Sequence, residues 1–211
     1  MNNSFQQSPH AQLTEQQADI LREVGNIGAG HAATALSTLL QDEVHMSVTS
    51  AKMCSFDEIT ETVGGQEAVV AGVFLRMTGD IQGNMMFLLP VNSAKQLIAK
   101  LLPFDCEEDD FTDLEISALS EVGNILGGSY LNAVSTLTSF TLNQTVPAVA
   151  IDMAGAILDI GILMAGEVAD SAILIETLIT QGNSAIDGHF FLLPDPSSTT
   201  PLLRELGCYD E

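Results

Sequence analysis

Apolar and polar positions along this chain switch between two periods, and the same switch happens twice. From about Thr14 to Gln41 the small and apolar residues recur at helical spacing. On a wheel turning about 100° per residue, Leu21, Val24, Gly28, Ala32, Ala35, Leu36 and Leu39 cluster on one side, a stripe expected to face the core. A second such helix runs from about Thr112 to Leu137. Thr14 and Thr112 stand three residues before Gln17 and Glu115, the spacing of a capping box. A strand-like stretch follows each helix (Val44–Met53; Phe140–Met153), and then two β-rich segments, Ala68–Met77 with Ile81–Leu89 and Ala169–Ile179 with Ser184–Leu193. Short helices near Ser93–Leu102 and Ser198–Leu206 close the two sets. Hairpin-length connections such as Thr78–Asp80 predict antiparallel pairing.

The two sets are copies. Glu23-Val-Gly-Asn-Ile recurs 98 residues later as Glu121-Val-Gly-Asn-Ile, and at that offset Leu21 matches Leu119, Gly30 matches Gly128, and Ser37-Thr38-Leu39 matches Ser135-Thr136-Leu137. Phe87-Leu-Leu-Pro90 returns as Phe191-Leu-Leu-Pro194. Two landmarks in the same order mark a duplication, and two copies are too few for a solenoid. The expected fold is α+β: two α-β-β-β-α units forming one continuous, mainly antiparallel sheet with both long helices packed across it. Residues 13–207 then make a single domain of two repeats, about 13–104 and 111–207, with the acidic segment Asp105–Asp110 as the join. Residues 1–12 are polar and are expected to be a flexible terminus.

Opposite the apolar stripe, Asp19, Glu23, Asn26, Gly30, Thr34 and Ser37 share a polar face, and Ser117, Glu121, Asn124, Gly128, Asn132 and Ser135 repeat it. Glu and Asn at i and i+3 are neighbours on a helix surface. A solvated exterior would account for an isolated Glu-x-x-Asn. Two positions that oppose the helix and are kept in both copies shift the balance toward a docking surface. Asn is a poor helix former, and a helical Gly costs on the order of 1 kcal/mol relative to Ala. A glycine on an exposed face lets another molecule's backbone come close. Gly25-x-x-Gly28-x-Gly30 is no dinucleotide loop, since the spacing is reversed and it lies within a helix; Gly28 instead suits close helix packing. His31 is replaced by Ser129 in the second copy, which argues against a shared catalytic role.

Composition narrows the function classes. Twenty-eight acidic against six basic residues give a formal charge of −22. No basic footprint exists for a nucleic-acid backbone or an anionic membrane surface. Three widely spaced cysteines, Cys54, Cys106 and Cys208, form no C-x-x-C pair, and His10, His31, His45 and His189 show no ligand spacing. No metal site is expected on this chain, and the cysteine usage fits a reducing cytoplasm. Cys54, Met85 and Met86 read as packing residues. The N-terminus lacks an apolar signal segment, and the long uncharged stretch Val122–Ile151 is too polar and too broken for a membrane span. The expectation is a soluble cytoplasmic protein without membrane insertion.

At the Glu/Asn helices the sequence resembles the CheC/CheX/FliY group of chemotaxis phosphatases. The signature is Asp or Ser, three residues, Glu, two residues, Asn, then 22 residues and Pro. Ser117, Glu121, Asn124 and Pro147 match it completely, whereas Asp19, Glu23 and Asn26 are followed by Thr49 in place of Pro. The resemblance spans roughly residues 13–206. Two such helices point to CheC rather than CheX, and the lack of a further C-terminal flagellar-switch domain points away from FliY. The resemblance implies a six-stranded sheet with pseudo-twofold symmetry and the two long helices exposed, and hydrolysis of the aspartyl phosphate on a CheY-like response regulator. Glu23 and Glu121 would engage a partner lysine, Asn26 and Asn124 would orient the attacking water, and Pro147 would be a structural member of the motif. It also implies Mg²⁺ held by the regulator, no cofactor on this chain, and CheD-type receptor deamidase as a further partner.

These residue types suit that chemistry. An acyl phosphate is already activated, so positioning and charge stabilisation suffice. An Asn amide offers a donor and an acceptor to a water, and a Glu one turn away can fix register against a cation. The alternative is an adaptor that binds a phosphorylated regulator, or a deamidase, without turnover. Thr49 makes the second copy the fuller match.

Overall fold

The computed structural model describes residues 13–102, 110–165, 172–181 and 184–207. The expected flexible terminus, nearly all of the acidic join, His10, Cys106 and Cys208 lie outside these residues. The elements in chain order are α1 (Glu15–Leu40), β1 (His45–Cys54), α2 (Phe56–Thr62), β2 (Val69–Gly79), β3 (Gly83–Pro90), α3 (Val91–Leu101), α4 (Asp113–Thr138), β4 (Leu142–Gln144), β5 (Ala148–Met153), α5 (Ala154–Ala165), β6 (Ala172–Gln181), β7 (Ser184–Pro194) and α6 (Pro196–Glu205).

Both long helices start and stop by the same devices. Thr14 Oγ1 accepts from the Gln17 N–H at 3.2 Å while Gln17 Oε1 accepts from the Thr14 N–H at 2.9 Å. Thr112 and Glu115 repeat the exchange at 3.3 and 2.7 Å. These bonds satisfy donors that a helix start leaves without partners. Gln41 and Ser139, matched positions, end the helices in the left-handed region at φ 52° and 61°.

Every strand pairing is antiparallel, in the order β1-β6-β7-β3-β2, with β4 and β5 both on the outer edge of β2. The mainly antiparallel sheet is as expected, but its sixth position is filled by two short strands, making seven among the described residues. The strand expected over Phe140–Met153 is cut at Thr145–Pro147, because Pro147 has no N–H for a ladder and fixes its own φ. The first copy keeps one strand there, with a bulge at the equivalent place: the β1–β6 register steps from Val48↔Thr177 to Ser50↔Glu176, leaving Thr49 unpaired.

The repeats are interleaved. β1 of the first copy pairs with β6 of the second, and β5 of the second pairs with β2 of the first. At the centre, Met86↔Phe191 and Phe87↔Phe190 are related by the pseudo-twofold axis.

The unit order is a correction to the expected α-β-β-β-α: each copy has a further helix after its first strand position, giving α-β-α-β-β-α. Those helices, α2 and α5, cover the second face of the sheet, where Ile59, Val63, Ile157 and Leu158 pack with Phe74, Met86, Leu88, Phe191 and Cys54. The first face carries α1, α4, α3 and α6 over Leu75, Met85, Phe87, Ile175 and Phe190. Burial of both faces explains why β3 carries an unbroken apolar run from Met85 to Leu89. Cys54 is a buried core residue, and desolvation pushes its thiol up to about 11. Met85 and Met86 are core residues as expected. Leu39, expected in the stripe, is instead 44% exposed, as is its counterpart Leu137 at 45%. Both lie in the last turns of their helices, on the side away from Leu40 and Thr138, which turn inward.

The two long helices meet at Gly28 and Tyr130. A Cβ on Gly28 would come within 2.7 Å of the Tyr130 ring and 3.1 Å of its Cα, so only glycine allows this approach. The Tyr130 ring stacks on Phe190, centroids 4.1 Å apart, and its hydroxyl shares a 2.9 Å hydrogen bond with Thr177 Oγ1.

Burial pushes the Tyr130 phenol up to about 12, partly opposed by that hydrogen bond. A folded-state value above the unfolded one, ~10, means the contribution is complete below pH ~10 and is lost as pH rises through about 12. Tyr130→Phe, which keeps the stack, is expected to cost about 1 kcal/mol at neutral pH. It should also fall off less steeply in urea melts between pH ~10 and ~12 than wild type does.

Candidate functional site

The apolar stripe that anchors α1 and α4 fixes which side of each helix faces outward. On α1, Leu21, Val24, Gly25, Gly28 and Ala32 are buried, and Asp19, Glu23, Asn26 and Gly30 are exposed. On α4, Ser117, Glu121 and Asn124 are exposed and Gly128 is half-buried. The residues selected from sequence therefore do share one outward face in each copy. The glycines beneath are tightly seated. A Cβ on Gly25 would meet Val48 Cγ2 at 3.0 Å and Ile175 Cγ2 at 3.1 Å, and one on Gly123 would overlap Val73 Cγ1.

The glycines on the outward faces, Gly30 and Gly128, behave otherwise. An added Cβ on Gly30 meets nothing within 4 Å, and on Gly128 its nearest neighbour is Gln144 Nε2 at an ordinary 3.7 Å. Nothing among the described residues requires a glycine at either place.

Each asparagine is held by its carbonyl oxygen. Asn26 Oδ1 accepts from the backbone N–H of Val48 at 3.1 Å, beside the bulge at Thr49. Asn124 Oδ1 accepts from Gln144 Nε2 at 2.8 Å, and the same nitrogen donates to the Asn124 backbone carbonyl at 2.9 Å. The NH₂ groups of both asparagines, and both glutamate carboxylates, have no partner among the described residues and are left to face outward. Pro147 is half-buried in the break between β4 and β5, and Val146 before it is 86% exposed, whereas its counterpart Val48 is buried.

The two faces differ in charge. Asp19 pairs with Arg22 at 2.9 Å across one helical turn, both about half exposed. Ser117 and Ser120 stand at the matched positions of α4, so the second face carries no such pair. His31 is exposed on α1, while Ser129 is buried on α4. Among the described residues no three His, Cys, Asp or Glu side chains gather as a metal-holding group, and no helix is long and apolar enough to cross a membrane.

Sequence reasoning missed the Val48 N–H, Gln144 and Arg22. The first depends on a backbone fold-back that no residue type announces. Gln144 carried no signal either: it stands where the first copy has Met46, in a stretch where the copies differ at nearly every position.

Against known proteins, two segments of this chain, 17–48 and 114–151, match the CheC-like family, one segment for each Glu/Asn helix. The chain is 43% identical over 200 residues to the CheY-P phosphatase CheC of Bacillus subtilis (strain 168), covering 92% of this chain and 96% of that protein. It belongs to the CheC-like family. It is also 27% identical over 139 residues to the flagellar motor switch phosphatase FliY of the same organism, across 65% of this chain but 36% of FliY. The crystal structure of Thermotoga maritima FliY shares the fold, with a TM-score of 0.75 at 18% identity over 92% of this chain and 98% of that one.

Gly30→Ala removes a helix-opposing residue without an internal clash and is expected to raise stability by about 1 kcal/mol in urea denaturation. Gly123→Ala should lower it by ~1–3 kcal/mol, because Val73 is in the way. A loss of stability in Gly30→Ala would show that this glycine serves the fold rather than the surface.

Proposed function

We propose that this chain hydrolyses the aspartyl phosphate of a CheY-like response regulator, with one site on each long helix. Membership of the CheC-like family and 43% identity to a CheY-P phosphatase support the reaction. The observation that carries the residue assignment is the shared state of the two asparagines. Each is exposed one turn from an exposed glutamate, with its carbonyl oxygen already held and its NH₂ free.

In this reading a regulator lays its phosphorylated face across the helix, and Gly30 or Gly128 leaves room for its backbone. Glu23 or Glu121 pairs with a lysine of the regulator and sets the register. The NH₂ of Asn26 or Asn124 donates to the oxygen of a water and holds it in line with the acyl phosphate bond. The carbonyl, tied on one lone pair, keeps its second for a water proton. Water attacks phosphorus, the acyl P–O bond breaks, the regulator's aspartate leaves as carboxylate, and inorganic phosphate is released. The regulator supplies Mg²⁺, and its charge offsets that developing on the phosphoryl oxygens. Neither step asks this chain for a base or a nucleophile.

The net charge of −22 opposes encounter with an acidic partner. Association is therefore expected to quicken as salt screens the repulsion over ~10 Å.

The test is loss of phosphate from a phosphorylated CheY-like regulator with Mg²⁺, comparing wild type with Asn26→Ala, Asn124→Ala and the double variant. Each single variant should keep part of the rate, and the double variant should fall by about 10²-fold or more, to the regulator's own rate. A regulator that binds but loses phosphate no faster would leave an adaptor in place of an enzyme.

A further inference from the structure

In the second copy the loss of a backbone donor coincides with the arrival of a side-chain donor. In the first copy the β1 backbone runs past Asn26, and the Val48 N–H holds its carbonyl oxygen. The matched residue is Val146, but Pro147 breaks the strand there, Val146 stands 86% exposed, and its N–H makes no bond to Asn124. Gln144, two residues earlier, supplies the hydrogen bond instead.

We propose that Gln144 is a positioning residue for hydrolysis at the second site, holding the Asn124 amide in the orientation that the Val48 N–H gives Asn26. The proposal rests on the reading of Asn124 as the group that orients water.

Three observations support it. The Gln144 amide can face Asn124 in only one way, since Nε2 bonds two acceptors, Asn124 O at 2.9 Å and Asn124 Oδ1 at 2.8 Å; turning the amide over would set its oxygen against both. The amide also has a built seat. A Cβ on Gly127 would lie 2.5 Å from Gln144 Oε1, so the carbonyl fits only above a glycine. The first copy has neither half of this pair: Ala29 stands for Gly127 and Met46 for Gln144. Finally, the backbone on either side of Gln144 is fixed. Gln144 is the ladder partner of Met77, the Thr145 N–H donates to Arg76 O at 3.0 Å, and Thr145 Oγ1 accepts from the Arg76 N–H at 3.0 Å.

The experiment places every variant in an Asn26→Ala background, so that only the second site turns over, and follows steady-state dephosphorylation of a phosphorylated CheY-like regulator with Mg²⁺. Gln144→Met, which installs the first copy's residue, is expected to lower kcat about ten- to hundredfold with KM unchanged. Gly127→Ala leaves Gln144 in the chain but takes its seat, and should reproduce the loss. Combining the two should be no worse than either alone. In NMR spectra of wild type, the Asn124 side-chain NH₂ pair should be dispersed, and it should move toward free-amide positions in both variants.

A kcat that survives both substitutions, in a background where Asn124→Ala abolishes turnover, overturns the proposal. So does a loss expressed in KM alone, which would make Gln144 a docking residue. If Asn124→Ala itself leaves turnover intact, the assignment of Asn124 falls, and the proposal with it.

Discussion

Antiparallel pairing between strands of different repeats is the constraint on which the rest of the molecule depends. β1 completes the sheet only by bonding to β6, and β5 only by bonding to β2, so neither repeat owns a closed set of strands. A single copy would present unpaired edges and half-covered apolar faces, an arrangement that invites aggregation. Interleaving removes that difficulty and brings α1 and α4 side by side, where Gly28 admits the Tyr130 ring. The outward faces of the helices follow from this packing. Once Leu21, Val24 and Ala32, with Leu119, Val122 and Leu126, are committed to the sheet, the Glu/Asn pairs can point only to solvent.

The asparagines are held in place by strands rather than by their own helices. Their helices fix position and outward direction, but the amide orientation comes from β1 in one copy and β4 in the other. Thr49 directly follows Val48, and Pro147 comes three residues after Gln144, so each stands beside the stretch that holds its asparagine. A bulge and a proline break are two ways of lifting the same stretch of backbone from its ladder beside the site. The Thr49 departure therefore changes how the asparagine is held without removing the hold.

Much of this was legible in the residues. The capping boxes at Thr14 and Thr112 and the helical stripe gave the long helices with their polar faces, the short connection at Thr78–Asp80 gave the antiparallel pairing, and the repeated Phe-Leu-Leu-Pro marked the duplication. What escaped was short or non-local. α2 is only seven residues, too few to express a helical period, though Ser55 and Glu58 form the same capping box that marked the long helices. α5 is a nearly uncharged run that has no polar face to set a period. A different cue was available for both: Met85 to Leu89 and Phe190 to Leu193 are continuous apolar runs, which require cover on both faces of the sheet. Gln144 escaped because its role depends on a strand break and on a glycine seventeen positions earlier.

Strand exchange also bears on how the two copies can change over time. The floor under Gly123 and Gly127 is made by Val73 and Leu75, which belong to the first copy, while Gly25 rests partly on Ile175 of the second. A substitution in either hairpin is thus felt beneath the helix of the opposite half. Gene duplication ordinarily frees one copy to drift while the other keeps the ancestral work. Here each half is part of the other's foundation, so drift in one is checked by selection on its twin, and the halves are bound to a common history.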